Sequence, residues 1–146
     1  MSDDALALVP PAAYIKDTAT AKGMGVFAVR AFNEGDLVER CPVLLIPCRW
    51  DELPKNFQVR VFDWGYFVGT PNIHAFALGW GSLYNHNDPA NLRYHVNAES
   101  QLLIFTTVRS IAANEELTIN YQAKGGGPAG KDFDWFEANT ITPVVA

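Results

Sequence analysis

The sequence predicts a mainly β protein, and three observations support that prediction. Its apolar runs are short, and the strongest of them, residues 102–108, is rich in β-branched side chains. Turn-forming residues, as at 33–36, separate these runs. Residues 117–121 alternate between apolar and polar side chains, as a half-buried strand does. Short strands divided by turns are typical of a mainly β architecture.

The elements follow in chain order from the same reasoning. Four short strands are predicted in the first third of the chain, at residues 14–16, 26–29, 37–39 and 43–46, with Pro42 separating the last two. Residues 50–67 mix charges with large apolar side chains, and a short helix is expected near residues 51–53. Residues 75–78 form a short apolar element, and a polar loop over residues 79–94 follows it.

The predicted organisation is one domain over residues 14–122. A lead-in over residues 1–13, with Pro10-Pro11 and several alanines, precedes the domain. Residues 123–146 follow as a glycine-rich tether and a C-terminal segment with three aromatic residues. That segment either folds back over the domain as a closing element or simply caps an apolar patch.

Composition excludes several classes of protein. The net charge of −5 argues against direct nucleic-acid binding, which needs a basic face; it either suits a basic partner or simply aids solubility. Two cysteines make neither a disulfide framework nor a four-thiolate zinc site. The apolar runs are too short to span a bilayer, and the acidic start of the chain is unlike a secretory signal. The expected location is cytoplasmic, with nuclear residence or delivery to a host cell as alternatives.

The polar loop at residues 79–94 is the most informative segment. It contains Asn85-His86 and lies between apolar runs. Buried amide and imidazole groups need partners, so such a loop holds a hydrogen-bond network or lines a site. Two other motifs accompany it. Gly23-Met24-Gly25 lies upstream, and Glu116-Leu117 lies downstream, four residues before Tyr121.

The order of these motifs, Gly-x-Gly, then Asn-His, then Glu-Leu-x-x-x-Tyr, resembles the SET-domain protein lysine methyltransferases. The family's Asn-His-Ser-x-x-Pro-Asn loop is matched by residues 85–91, where Asn87 replaces the serine and Pro89 lies one place early. The resemblance covers roughly residues 14–136 and is greatest to compact viral and bacterial members, which lack zinc modules. It implies a fold of several small sheets with short helices and a C-terminal pseudoknot.

The resemblance also implies a cofactor and a reaction. S-adenosylmethionine would donate a methyl group to the ε-amine of a lysine in a protein substrate, and no metal would be needed. The residues that match the family's cofactor contacts are Lys22, Gly23, Met24, Gly25, Asn85, His86, Trp135 and Phe136. In the family, the C-terminal aromatic covers the adenine or closes the lysine channel.

Two tyrosines match the family's catalytic positions. Tyr121 matches the catalytic tyrosine, whose hydroxyl orients the methyl group, and a phenol with a pKa near 10 is a poor base at neutral pH. Tyr94 would narrow the channel and favour a monomethyl product. Trp64 and Tyr66 are expected on the substrate channel. The predicted partners are a basic protein that contains the target lysine and a second copy of the chain, without membrane or direct nucleic-acid contact.

Two other functions are considered. The first is a catalytically silent SET-like module that binds peptides. The second is a non-haem iron oxygenase that uses His86 and Asp88, with His95 or His74 completing a facial triad. Taken singly, Tyr121 and Tyr94 are more often core-edge tyrosines, and a lone histidine is more often structural.

Overall fold

The computed structural model of the chain describes residues 8–123 and residue 125. Within them, nine strands are formed: β1 Ala13–Asp17, β2 Met24–Ala28, β3 Leu37–Ile46, β4 Phe62–Asp63, β5 His74–Ala77, β6 Asn85–His86, β7 Leu92–Asn97, β8 Leu102–Thr107 and β9 Glu116–Ile119. The helical elements are short: α1 Lys55–Gln58, α2 Trp64–Val68, and 3-10 turns at Trp50–Glu52 and Gly81–Leu83. No helix in this described part is long and apolar enough to cross a bilayer.

The strands form two small sheets. The first has the order β1-β2-β9-β6, and its β6 and β9 pair in parallel while the other pairs are antiparallel. The second has the order β4-β5-β3-β8-β7 and is antiparallel throughout. The prediction of a mainly β fold with several small sheets and short helices is therefore confirmed.

The core lies between these sheets, and the alternation of the strands explains it. In β8, Leu103 and Phe105 point inward and are fully buried. In β9, Leu117 does the same from the other sheet. Leu92 at the start of β7 completes this buried set. Apolar residues at every second position bury one face of each strand, and this burial provides the main driving force for folding.

The sequence predicts that Pro42 divides two strands, but this prediction is wrong. The strand β3 runs without interruption through Pro42. Pro42 lies opposite Leu102 at the last position where β3 pairs with β8. The next residue, Val43, begins the pairing with β5. Proline lacks an N–H group, and here it stands where the strand changes partners: its oxygen still accepts from the Leu78 N–H at 2.9 Å, and the missing donor falls at the end of a ladder.

The polar loop and the last predicted strand also differ from expectation. The loop was predicted to extend to Tyr94, but residues 92–97 form strand β7, which pairs with β8 along its whole length. Its exposed Arg93 and His95 hide the strand pattern, as polar residues on an edge strand do. The strand predicted at residues 117–121 ends at Ile119, so Tyr121 lies just beyond β9.

The helical region and the two termini complete the comparison. A single 3-10 turn stands where the helix near residues 51–53 was predicted, and α1 and α2 are additional. Val9 pairs with Arg40 before β1 begins, so part of the predicted lead-in contacts the domain. Residues 1–7, 124 and 126–146 lie outside the described part, and with them lies most of the predicted tether and closing segment.

Candidate active site

The parallel pairing of β6 with β9 brings the three sequence motifs together. Asn85 lies opposite Thr118 in this pair. Its side-chain nitrogen donates to the backbone oxygen of Met24 at 2.9 Å and to Glu116 Oε2 at 2.8 Å. One amide therefore links the Gly-x-Gly turn, the Asn-His segment and the Glu-Leu strand, and the separations in sequence show that only the tertiary fold makes this link.

His86 holds the backbone of Tyr121 in place. Its Nδ1 accepts a hydrogen bond from the Tyr121 N–H at 3.0 Å, and the two rings lie 5.4 Å apart. Because Nδ1 is the acceptor, the proton of the neutral imidazole is assigned to Nε2. Burial lowers the pKa of His86, and the charge of Lys22 lowers it further against the opposing effect of Asp88. His86 is therefore held neutral near physiological pH.

Asn91 fastens the end of the polar loop to β9. The Asn91 side chain is buried. Its Oδ1 accepts from the Thr118 N–H at 2.8 Å, and its Nδ2 donates to the backbone oxygen of Glu116 at 2.7 Å. A side-chain amide can replace a strand in this way because it offers both a donor and an acceptor. The loop predicted to carry a hydrogen-bond network does carry one.

A small cavity of about 60 Å³ lies beside Tyr121. Phe62, Tyr84 and Tyr94 provide its aromatic lining. The Tyr94 ring packs edge-on against Phe62 at 4.9 Å and lies 5.8 Å from Phe67. Burial raises the pKa of the Tyr94 phenol, against an opposing hydrogen bond from the Gly125 backbone. The cavity is thus a narrow, aromatic slot.

The Tyr121 hydroxyl is fixed and protonated. It donates to the backbone oxygen of Tyr84 at 2.6 Å. Burial raises its pKa to about 12, an effect that the charge of Arg60 opposes. A phenol with so high a pKa keeps its proton at neutral pH, so it acts as a polar, oriented group and not as a base.

A second, larger cavity of about 230 Å³ adjoins the first. Four residues that the resemblance assigned to the cofactor line it: Lys22, Met24, Gly25 and Asn85. Arg60, Ser82 and Tyr121 line both cavities. The two cavities therefore meet at the predicted catalytic tyrosine, and one is large while the other is narrow and aromatic.

The Gly-x-Gly turn forms a wall of the larger cavity that has no room for a side chain. A Cβ added to Gly25 would lie 2.6 Å from Glu116 Oε2 and 2.9 Å from Thr18 Cγ2. Gly23 has a φ of +76°, a backbone conformation that residues with a side chain rarely adopt. Gly25 therefore lets the backbone of this wall pack closely against Glu116 and Thr18, and the residues that line the cavity fit S-adenosylmethionine.

Several predicted site residues lie elsewhere. Trp64 does not line either cavity, because α2 buries it in the core with 3% exposure. Tyr66 is 59% exposed and does not line either cavity; its ring packs on Phe67, which lies 5.8 Å from Tyr94. Gly23 and His86 are not among the lining residues of either cavity, and His86 contacts the Tyr121 backbone instead. Trp135 and Phe136 lie outside the described part of the chain.

Arg60 and Ser82 are site residues that the sequence did not reveal. Arg60 follows α1, and its Nη1 donates to the Ser82 backbone oxygen at 3.2 Å. Arg60 lies in a stretch of mixed character, where no pattern distinguishes it from a surface arginine. Ser82 belongs to the polar loop and lies three residues before Asn85. This position was the only indication in the sequence that Ser82 could be a site residue.

The iron-binding alternative finds no site. Among residues 8–123 and 125, no group of three or more His, Cys, Asp and Glu side chains could hold a metal ion. His86 and Asp88 are therefore not joined there by a third ligand, so the alternative facial triad is not formed in this part of the chain. The Nδ1 atom of His86 is also already engaged by the Tyr121 N–H group.

These motifs and cavities define a methyltransferase site, and the comparisons agree. The SET domain family matches residues 23–122, more than half of the chain. The chain belongs to the SET-domain family. It is a protein-lysine N-methyltransferase that uses S-adenosylmethionine, so the predicted fold, function and cofactor are confirmed, and the silent binding module is set aside.

Named relatives support this assignment. The chain is 31% identical over 134 residues to the histone-lysine N-methyltransferase, H3 lysine-37 specific, of Schizosaccharomyces pombe, covering 88% of this chain and 83% of that protein. It resembles a crystal structure of a Plasmodium falciparum protein assigned as a histone methyltransferase, with a TM-score of 0.62 and 25% identity over 77% of this chain and 95% of that one.

A third similarity extends to the fold alone. The structure of ctPRC2 in an autoinhibited conformation bound to S-adenosylmethionine matches with a TM-score of 0.62 and 21% identity. The match covers 80% of this chain but only 16% of that much longer one. It therefore shows the fold that the two share and carries no argument about partners.

Proposed function

We propose that this chain methylates the ε-amine of a lysine in a basic, histone-like protein segment, with Tyr121 as the catalytic tyrosine. The single observation that carries the assignment is that Tyr121 lines both cavities. A methyl transfer needs the donor and the amine on opposite sides of one point, and the boundary of the two cavities is such a point. Correct alignment of the two reactants alone contributes about 7 kcal/mol in the best cases.

The larger cavity is the proposed cofactor site. Bound S-adenosylmethionine supplies the electrophilic methyl group. The backbone at Met24 and Gly25 would form the wall against it, and Lys22 would provide a cation for its carboxylate. Asn85 would hold the wall in place through its two hydrogen bonds. Gly23 and His86 would support this wall and the Tyr121 backbone, and Trp135 or Phe136 would cover the cofactor.

The smaller cavity is the proposed lysine channel. Free lysine is protonated at neutral pH, and only its neutral amine can attack. The aromatic lining of Phe62, Tyr84 and Tyr94 removes water and so disfavours the ammonium form. The Arg60 guanidinium, which lines both cavities, adds a like charge that acts in the same direction, and the Asp63 carboxylate, which lines the smaller cavity, opposes it. The proposed loss of the lysine proton therefore rests on the exclusion of water by the aromatic rings.

Histone H3 is the proposed type of substrate. The relative that is 31% identical is named for H3 lysine-37, and the net charge of −5 favours a basic partner. The test is methylation of recombinant histone H3 with labelled cofactor, read by mass spectrometry. Label on H3 that is lost when its lysine 37 is replaced by arginine would support the proposal. Label on other proteins of an unfractionated lysate but none on H3 would contradict it.

The proposed assembly is a homodimer. The outer face of the five-stranded sheet exposes Leu44 at 53% and Leu78 at 56%, with half-buried Phe76 between them in register. Contiguous exposed apolar surface of this kind is typical of an interface. Light scattering at high micromolar concentration should give the mass of two chains, and Leu44→Glu should reduce it to one. Val29→Glu, at an exposed valine elsewhere, is the matched control. A monomer throughout would contradict the proposal.

The proposed location is the cytoplasm. It rests on composition alone, and a histone-type substrate would favour a nuclear population instead. Fluorescent tagging of the chain, with nuclear and cytoplasmic signals scored separately in its own cells, distinguishes the two. A signal confined to the nucleus would contradict the cytoplasmic proposal.

A further inference from the structure

Glu39 is a buried carboxyl group behind the site. It lies on β3, is 1% exposed and points toward the polar loop. Its Oε1 accepts from the Tyr84 hydroxyl at 2.7 Å, and its Oε2 accepts from the Trp80 N–H at 2.7 Å. Burial raises the pKa of Glu39. Hydrogen bonds from Tyr84, Trp80 and the Cys41 thiol oppose this rise. Burying a carboxyl group is costly, so these donors are what stabilise it there.

Tyr84 connects this carboxyl group to the reaction centre. It is also 1% exposed, and its ring packs 4.9 Å from that of Phe105. Its side chain donates to Glu39, while its backbone oxygen accepts the Tyr121 hydroxyl at 2.6 Å. Only two hydrogen bonds and one residue therefore separate the Glu39 carboxyl from the catalytic phenol.

The surroundings allow this cluster little freedom. A Cβ added to Gly79 would lie 2.5 Å from Glu39 Oε2 and 2.7 Å from the Cys41 Cβ. The carboxyl group is thus enclosed by the start of the polar loop on one side and by its own strand on the other. A closely packed and hydrogen-bonded group of this kind fixes the atoms that it contacts.

We propose that Glu39 is a positioning residue for the methyl transfer: it fixes Tyr84, whose backbone oxygen sets the direction of the Tyr121 hydroxyl. This inference rests on the proposed catalytic role of Tyr121. The Tyr84 ring lines the proposed lysine channel, whereas its hydroxyl is bonded to Glu39, so Glu39 acts through Tyr84 and not by contact with the cofactor or the lysine. The alternative is that the cluster only stabilises the fold. In that case the fall in kcat caused by removing the Tyr84 hydroxyl would be the same with and without the Tyr121 hydroxyl.

The first measurement uses Tyr84→Phe, which keeps the ring and the backbone oxygen and removes only the hydroxyl. We expect kcat on a fixed peptide to fall roughly tenfold, the scale of one lost hydrogen bond that acts at the transition state. The KM of the peptide and the Kd of S-adenosylmethionine should stay within about twofold. Tyr14→Phe, which removes an exposed hydroxyl bonded to Asn114, is the matched control and should retain kcat.

The decisive measurement repeats Tyr84→Phe in a Tyr121→Phe background under single-turnover conditions. If Glu39 and Tyr84 act through the Tyr121 hydroxyl, the second substitution should change the residual rate by less than about twofold. An equal loss in both backgrounds would overturn the inference and leave the role of Tyr121 intact. Full activity of Tyr121→Phe alone would instead contradict the proposed catalytic role, and the inference with it.

Glu39→Gln carries the same prediction if circular dichroism shows that Tyr84→Phe does not fold. The amide keeps one acceptor oxygen, so it can accept from the Tyr84 hydroxyl or from the Trp80 N–H but no longer from both, as the carboxylate does. Glu39→Gln should lower kcat in the parent protein, and it should have no further effect on the rate in the Tyr121→Phe background. Unchanged kcat in a folded Glu39→Gln or Tyr84→Phe protein would also overturn the inference.

Discussion

At the scale of single residues, the site works through the hydrogen bonds of a few side chains and not through unusual chemical groups. Tyr121 keeps its proton because burial raises its pKa to about 12, and its hydroxyl is directed by the Tyr84 oxygen. Tyr94 is a second buried phenol, placed among aromatic rings. Both tyrosines are predicted from sequence as site residues, whereas the groups that contact them were not.

Replacing Tyr121 by Phe should lower kcat by roughly 10²-fold or more, because a preorganised donor at the transition state contributes on that scale. Cofactor affinity should change little, since the ring remains and only the hydroxyl is lost. Peptide turnover and calorimetry with S-adenosylmethionine measure the two effects. A variant that turns over like the parent protein would remove Tyr121 from the catalytic role.

Replacing Tyr94 by Phe should shift the product from monomethyl toward di- and trimethyl lysine. In a close-packed channel even one extra methyl group is felt, and a methylated amine must rotate before it can react again. The variant keeps the ring packing against Phe62 and Phe67 and removes only the hydroxyl. Mass spectra of the peptide product measure this distribution. An unchanged ratio of mono-, di- and trimethyl lysine would show that the Tyr94 hydroxyl does not limit the number of methyl groups added.

At the scale of elements, the function depends on two strands that the sequence separates widely. The pairing of β6 with β9 brings Asn85 and His86 to the end of the strand that leads to Tyr121. Next to them, β2 supplies the Gly-x-Gly wall and pairs with β9 from the other side. The strand β9 is therefore the common support of both cavities.

Gly25→Ala should weaken cofactor binding by more than about tenfold and destabilise the fold by about 1–3 kcal/mol, because its Cβ has no space. The clash is with Glu116 Oε2 at 2.6 Å and Thr18 Cγ2 at 2.9 Å. Gly35→Ala is the matched control. Its φ of +83° makes the substitution strained, but nothing lies within 4 Å, so stability should fall while cofactor affinity stays. Calorimetry and thermal melting measure both variants, and equal affinities for the cofactor would contradict the prediction.

The His86 contact should make the fold sensitive to acid. A histidine whose pKa is lower in the folded than in the unfolded state stabilises the fold fully above the unfolded value of about 6.5. That stabilisation is lost as the pH falls through the lowered pKa, because imidazolium cannot accept the Tyr121 N–H. His86→Gln, whose amide oxygen can accept at any pH, should show a smaller fall in Tm between neutral and acidic pH.

Burial also lowers the pKa of His95, so both proteins in this comparison should carry His95→Gln to remove its titration. Thermal melts across the pH range then isolate His86. Parallel Tm curves for the two proteins would show that His86 does not cause the acid sensitivity.

At the scale of the whole molecule, charge should govern how the substrate arrives. The chain carries a net charge of −5, and surface attractions of this kind are screened over about 10 Å at ~0.1 M salt. For a lysine-rich peptide, kcat/KM should fall severalfold as salt rises through this range, with kcat nearly constant. The same peptide with neutral flanking residues is the control. Equal salt dependence of the two peptides would contradict electrostatic steering.

Much of the fold was predictable because its information is local. The strands β1, β2 and β8 follow from short apolar runs between turns, and Gly35 marks a turn with φ of +83°. The edge strand β7 carries a weaker pattern because its outward residues are polar, and its first three residues were predicted as loop. The strand β3 was divided at Pro42, because sequence does not show where a strand changes its partner.

The sequence by itself determined the family and the cofactor, and it predicts Tyr121 as the catalytic tyrosine, because the ordered motifs around Gly25, Asn85 and Tyr121 persist as local patterns. Only the tertiary structure decided which other residues surround them. Arg60 and Ser82 reach both cavities, Trp64 packs into the core, and Glu39 lies two hydrogen bonds from Tyr121. The physical reason is that side-chain contacts between strands distant in sequence depend on pairing and packing, which no local pattern encodes.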